Sequence, residues 1–278
     1  MRILFFIVIL AWLLMQPANY IFAQKQSTPL EAQAPPKQME IGVLAGLGYN
    51  YQSGQYLPNL YFNQCKYCLF ENGDDLGISL GVLFERDFNE YFKWGASFSY
   101  VSKSIEASYI KYDTVPIEIN VNEYEDRAIP FRNIADFDIA LLSFQPYIKW
   151  SPYDFVFVRL GLANSLVTIS EVTQNKELLK FKDTLTTGEI VDVSIKGTDQ
   201  NIVQIDKRTI PGINSLQFSI EPAIGFNFYL GNQLYISPLF NFSIPLTKLS
   251  TEQPDFAVNH WRFIVEFKLA LTMRKFKL

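Results

Sequence analysis

The spacing of the connections constrains this chain more than any single residue does. From residue 41 onward, hydrophobicity recurs with period two, the mark of strands with one apolar face. Eight such runs are legible, at 41–51, 76–88, 92–100, 137–150, 155–167, 216–230, 234–244 and 261–276. After runs two, four and six the connection is a tight turn: Asn89-Glu90, Ser151-Pro152-Tyr153-Asp154 and Gly231-Asn232. After runs one, three, five and seven it is long. Strict alternation of short and long connections predicts an up-and-down barrel with short periplasmic turns and long extracellular loops. Most runs have the roughly 9–11 residues that a tilted strand needs to cross a bilayer.

The faces support the same architecture. In the first run Ile41, Val43, Ala45, Leu47, Tyr49 and Tyr51 oppose Gly42, Leu44, Gly46, Gly48 and Asn50. In the last, Trp261, Phe263, Val265, Phe267, Leu269 and Leu271 oppose Arg262, Glu266, Lys268, Thr272 and Arg274. In lipid every backbone N–H and C=O needs a protein partner, so an open sheet edge is not tolerated. The last run must therefore pair with the first. The expected fold is all-β, an eight-stranded antiparallel up-and-down transmembrane β-barrel. Aromatics make up 15% of the chain. Phe88, Tyr91, Phe92, Trp94, Trp150, Tyr153, Phe155, Tyr229, Tyr235 and Phe276 cluster near the short turns. Tyr49, Tyr51, Tyr100 and Trp261 lie near the opposite rim, as membrane girdles require. A soluble barrel or sandwich would show the same alternation with the faces exchanged, but its surface would be richer in Lys and Glu.

Three segments precede or make up this domain. Residues 1–23 read as a signal peptide, with Arg2 ahead of the apolar stretch ILFFIVILAWLLM, then Pro17, and a cleavage point between Ala23 and Gln24. An uncleaved anchor is the alternative. Residues 24–40 are polar, contain three prolines, and read as a flexible periplasmic leader. Residues 41–278 form the barrel domain. Both mature termini then fall on the periplasmic side. The net charge of −4 argues against nucleic acid as a partner.

The polar faces carry Glu85, Lys93, Lys149, Arg159, Glu221, Arg262, Glu266, Lys268 and Arg274. Eight strands leave a lumen just wide enough for side chains to fill. Charges of both signs packed there should pair, which makes them a salt-bridged plug; a narrow ion pathway is the alternative. Cys65 and Cys68, the two cysteines, stand in the first long loop. In an oxidising compartment they suit a local disulfide, with free thiols as the alternative. No cofactor or metal motif is present. The single histidine, His260, is placed at the outer rim, with Asp255, Ser250 and Ser243 as the nearby groups a rim hydrolase would need. In the second and third long loops, Val115, Ile117, Ile119 and Val121 alternate, as do Ile190, Val191, Val193 and Ile195, then Ile202, Val203 and Ile205. These predict strands continuing beyond the membrane, joined by a hairpin turn at Lys196-Gly197-Thr198-Asp199.

Phe22-Ala23-Gln24, the opening Ile41-Gly42-Val43-Leu44-Ala45-Gly46-Leu47-Gly48 and the closing Arg262-Phe263-Ile264-Val265-Glu266-Phe267-Lys268-Leu269 together resemble the PorT-like outer-membrane β-barrel family of Bacteroidetes-type bacteria. The resemblance spans residues 40–278. It implies a barrel inserted by the barrel-assembly machinery, with one branch of the family tied to protein secretion and gliding. It implies no site residue. The chain departs from the usual pattern at its end, where Lys277-Leu278 follow Phe276. The functional expectation is a non-enzymatic outer-membrane scaffold or interaction protein, surrounded by outer-membrane lipid and engaging an unidentified extracellular or periplasmic protein. A small-ligand binding or transport barrel is the first rival and a rim hydrolase the second.

Overall fold

The computed structural model describes residues 38–57, 69–120, 123–153, 155–186, 188–195, 200–230 and 233–272. Residues 1–37, with the expected signal peptide and most of the expected leader, Cys65, Cys68, Asp154, the 196–199 turn, Gly231-Asn232, Arg274 and Phe276 lie outside them. In chain order the strands are β1 (Gln38–Ser53), β2 (Asp74–Asp87), β3 (Phe92–Ser102), β4 (Ile105–Asn120), β5 (Glu123–Tyr153), β6 (Val156–Leu178), β7 (Lys182–Thr184), β8 (Ile190–Asp192), β9 (Ile202–Thr209), β10 (Leu216–Phe226), β11 (Phe228–Tyr229), β12 (Leu234–Phe242), β13 (Ile244–Pro245) and β14 (Ala257–Thr272).

Antiparallel pairing runs from β1 through β2, β3, β5, β6 and β10 to β12 and β14. β14 then pairs with β1 along its whole length, from Gln38 opposite Thr272 to Ser53 opposite Ala257. The circuit is closed, and the protein is an eight-stranded antiparallel barrel. The strand β1 begins at Gln38, so the last three residues read as leader belong to the wall. Gln38, Met39 and Glu40 carry no apolar alternation, yet the ladder with Thr272, Leu271 and Ala270 satisfies their backbone.

The wall is turned inside out relative to a soluble protein. Leu76 is 70% exposed and Leu160 58%, whereas Glu85, Lys149, Glu266 and Lys268 are 0% exposed. A continuous apolar belt of this kind is unstable in water and is what a bilayer solvates. The chain is a transmembrane barrel of the outer-membrane type. Phe88, Tyr91, Trp94, Trp150, Phe155 and Tyr229 are exposed at the short-turn end, and Tyr51, Tyr100 and Trp261 at the other. Tyr235 departs from the expected girdle: it faces the lumen and is buried. Parity explains it, because Leu234 and Ile236 occupy the lipid face on either side.

Several sequence boundaries are corrected by pairing. β5 has 31 residues and β6 has 23, so both run unbroken from the membrane into what the periodicity separates as loops. β10 and β12 are each followed by a break, at Asn227 and Ser243, before the short strands β11 and β13. Of the turn expected at Ser151-Pro152-Tyr153-Asp154, the first three residues are still strand, and Asp154 lies outside the described residues.

Beyond the barrel, β4, the outer half of β5, β6 and β9 form a four-stranded arm. The 190–195 and 202–205 segments are not hairpin partners, as their spacing suggests. β8 pairs with β7, and β9 pairs with the free edge of β6 between Glu171 and Glu177, which offers it a longer ladder. Ile129, Phe131 and Leu178 form a small apolar core here, with Val115, Ile117, Val193 and Ile195 packed against it.

Candidate functional site: a charged lumen beneath an apolar plug

Adjacent strands place like charges side by side. Glu40 stands directly opposite Glu85, Lys93 opposite Lys149, and Lys149 opposite Arg159. Neighbouring like charges repel, and most of the stabilising contacts join strands that are not paired with one another. Glu85 on β2 accepts from Lys149 Nζ on β5 at 3.3 Å and from Lys268 Nζ on β14 at 2.8 Å. Tyr147 Oη donates to the same carboxylate at 3.0 Å. Lys268 also meets Glu266 at 2.7 Å, and Arg159 on β6 meets Glu266 at 2.5 Å. Lys93 bridges Glu40 and lies 3.1 Å from Asp87. Glu40, Glu85, Asp87 and Glu266 thus face Lys93, Lys149, Arg159 and Lys268, four charges of each sign.

Aromatic rings fill what charge leaves. Lys149 Nζ lies 4.1 Å from the Phe157 ring centre and the Arg159 guanidinium 4.6 Å from that of Tyr147. Glycine makes the room: a Cβ on Gly95 would sit 2.7 Å from the Tyr147 ring. Six of the nine charged residues assigned to the inner face from sequence, Glu85, Lys93, Lys149, Arg159, Glu266 and Lys268, are brought together here; Glu221 and Arg262 lie in a separate layer, and Arg274 lies outside the described residues. Sequence reasoning missed Glu40, because it sat inside a polar stretch, and Phe157, although its parity between Val156 and Val158 was a usable signal.

Farther toward the long-loop end the lumen holds a second group. Glu221 on β10 accepts from Arg262 Nη2 at 2.8 Å and from Asn241 Nδ2 at 3.2 Å. His260 Nε2 lies 4.0 Å from Glu221, outside hydrogen-bond range. The imidazole is 3% exposed, so His260 faces the interior and not the rim. It is not assembled with its sequence neighbours into a nucleophile–base pair. The Ser250 hydroxyl donates to the Pro211 carbonyl at 2.6 Å and accepts from the Glu252 and Gln253 amides. Asp255 is exposed, and no hydrogen bond reaches either ring nitrogen of His260.

Above this layer the inward side chains change from polar to apolar. Val101, Ile105, Phe137, Ile139, Leu141, Val172, Val258 and residues from the loops form one buried cluster. Its centre is an aromatic trio. Tyr56 meets Phe137 edge-on at 4.8 Å and Phe256 at 5.2 Å, and Phe137 lies 5.0 Å from Phe256. The plug closes the long-loop mouth.

On the arm, Asp113 meets Lys176 at 2.5 Å and Lys111 at 3.3 Å. Burial pushes its carboxyl up, but the hydrogen bond and charge of Lys176, with Lys111, outweigh burial and hold it below the usual 3.8. An open recess of about 430 Å³ at the arm's base is lined by Glu71, Asn72, Asp74, Asp75, Glu106 and Ser108. Among the described residues no three metal-ligating side chains converge.

No family model and no curated protein matches the chain. Solved structures do. The attachment invasion locus protein Ail of Yersinia pestis is 11% identical, with 83% of this chain and 98% of that one covered and a TM-score of 0.33. OprG of Pseudomonas aeruginosa is 10% identical, with 86% and 98% covered and a TM-score of 0.34. The outer membrane protease OmpT of Escherichia coli is 9% identical, with 87% and 98% covered and a TM-score of 0.33.

Proposed function

We propose that this protein is a non-enzymatic outer-membrane scaffold that presents its β4–β5–β6–β9 arm to a protein partner. The observation that carries this is the plugged mouth. Charges fill the lumen, an apolar cluster caps it, and an ordered sheet continues outward from the cap. Long connections of outer-membrane barrels face the outside, so the arm is extracellular and both mature termini are periplasmic. The lipid-facing belt fits insertion by the barrel-assembly machinery. The resemblance to PorT-like barrels suggests protein secretion or envelope assembly as the setting.

The test is single-channel recording in planar bilayers, with the full mature chain and a variant whose arm is replaced by a short turn. Both should fold, shown by a heat-dependent gel shift, and neither should conduct. Cells carrying the variant should lose the envelope or secretion phenotype while retaining the barrel. Stable conductance from the intact chain overturns the scaffold in favour of a transport barrel. A phenotype indifferent to arm removal overturns the arm as the working surface.

A further inference from the structure

The two layers of lumen charge differ in balance. In the short-turn half, four carboxylates meet four cations, each within contact distance of an opposite charge. In the long-loop half, Glu221 is the carboxylate and its salt bridge is taken by Arg262. Yet a second cation is buried there. Lys103 is 6% exposed, and among the described residues no carboxylate lies within salt-bridge distance of it. Its position is defined by Asn50, which stands opposite His260 in the β1–β14 ladder. The Asn50 amide donates to the carbonyls of Ser102 and Ser104, on either side of Lys103, at 3.4 and 3.0 Å. Asn50 thus ties the backbone on either side of Lys103 to the strand position opposite His260.

Other polar atoms of this layer also lack a partner. Both ring nitrogens of His260, one of them a donor in the neutral ring, Arg262 Nε, the Ser243 hydroxyl and the carbonyl oxygen of Asn241 are buried without a hydrogen-bond partner. Ser243 is tied to the same level, since its amide donates to the His260 carbonyl at 3.1 Å. The apolar plug lies directly above. A buried ammonium with no carboxylate in contact is costly, and so is each buried donor left unpaired. One negative ion among these groups removes both costs.

We propose that the upper lumen is a site for a small inorganic anion of halide size, held by Lys103, His260, Arg262 and Ser243. It serves as the counter-ion that lets the barrel close over an excess of positive charge. Lys103 and Arg262 against Glu221 leave one positive charge in the layer, which a monovalent ion balances and a phosphate dianion would overshoot.

The test uses the mature chain refolded separately in chloride and in gluconate at matched ionic strength, so that a slow-exchanging ion is present or absent from the start. His260 is the chain's single histidine, so its ring resonances report on the site without ambiguity. Chloride should shift them saturably and raise the unfolding temperature, and a crystal grown in bromide should show the ion beside Lys103. Lys103→Met should abolish the saturable shift. Glu221→Gln, which removes the competing negative charge, should tighten chloride severalfold and serves if Lys103→Met does not fold. Ring resonances and stability indifferent to chloride overturn the site. So does unchanged chloride affinity in either variant.

Discussion

Arg159 and Glu266 meet at 2.5 Å although no backbone ladder joins their strands. Each is buried, and each reaches across the lumen to a partner the sheet does not supply. Removing one side of such a pair strands a buried charge, at about 3–5 kcal/mol. Arg159→Met and Glu266→Gln should each lower the unfolding free energy measured by urea titration by that order. The double variant should cost less than the sum, because residues sharing one network couple. Additive losses would show that the contact does not bind the two walls together.

Leu160 lies on the outward face of β6 and is 58% exposed. If lipid covers it, Leu160→Arg should cost about 2–4 kcal/mol, the penalty for a cation near the bilayer midplane. Folding yield into phosphatidylcholine vesicles measures this. On a water-facing surface the same change should stay within about 0.5 kcal/mol.

The inward glycines are spaces reserved for large neighbours. Gly95→Val should destabilise the barrel by about 1–3 kcal/mol through overpacking, since its Cβ would meet the Tyr147 ring at 2.7 Å. Adding Tyr147→Ala should recover part of the loss, and the heat-dependent gel shift tracks both.

Phe137 sits at the centre of the outer plug, 1% exposed and in contact with Tyr56 and Phe256. Phe137→Ala should cost about 3–5 kcal/mol and speed proteolysis near residues 54–57 and 251–256. Conductance should remain absent, because the charged network below still fills the lumen.

On the arm, Lys176 and Lys111 keep the Asp113 carboxyl below its ordinary 3.8. A depressed carboxylate contributes stability that is fully present above the unfolded value and lost as pH falls through the folded one. Proteolysis of the arm should therefore rise below about pH 4 while the barrel's gel shift persists. Lys176→Met should move that rise to higher pH. An unchanged profile would separate the ion pair from the arm's stability.

The barrel was legible because its physics is local. Strand parity needs only neighbouring residues, and the short-long rhythm of connections needs only their spacing. Ile41 through Leu271 could be assigned to lipid or lumen one residue at a time, and Glu85, Lys149 and Lys268 fell on the inner face by that rule alone. Glu40 did not, because Gln38–Glu40 carry no apolar alternation and were recruited by the ladder with β14. The reach of β5 and β6 into an arm was half visible in their alternating Val and Ile residues. That β9 chose the edge of β6 over a hairpin was not, since several edges could have received it. Who pairs with whom inside the lumen was decided only in three dimensions. Register sets Glu40 beside Glu85 and Lys93 beside Lys149, and only closure of the circle carries Lys149 and Lys268 to Glu85, and Arg159 to Glu266. Alternation with Trp261 turns His260 inward, whereas only the closed ring sets it in one layer with Lys103 and leaves both without a carboxylate partner in hydrogen-bond range, because the chain's alternation specifies a face while the curvature of the ring specifies the company.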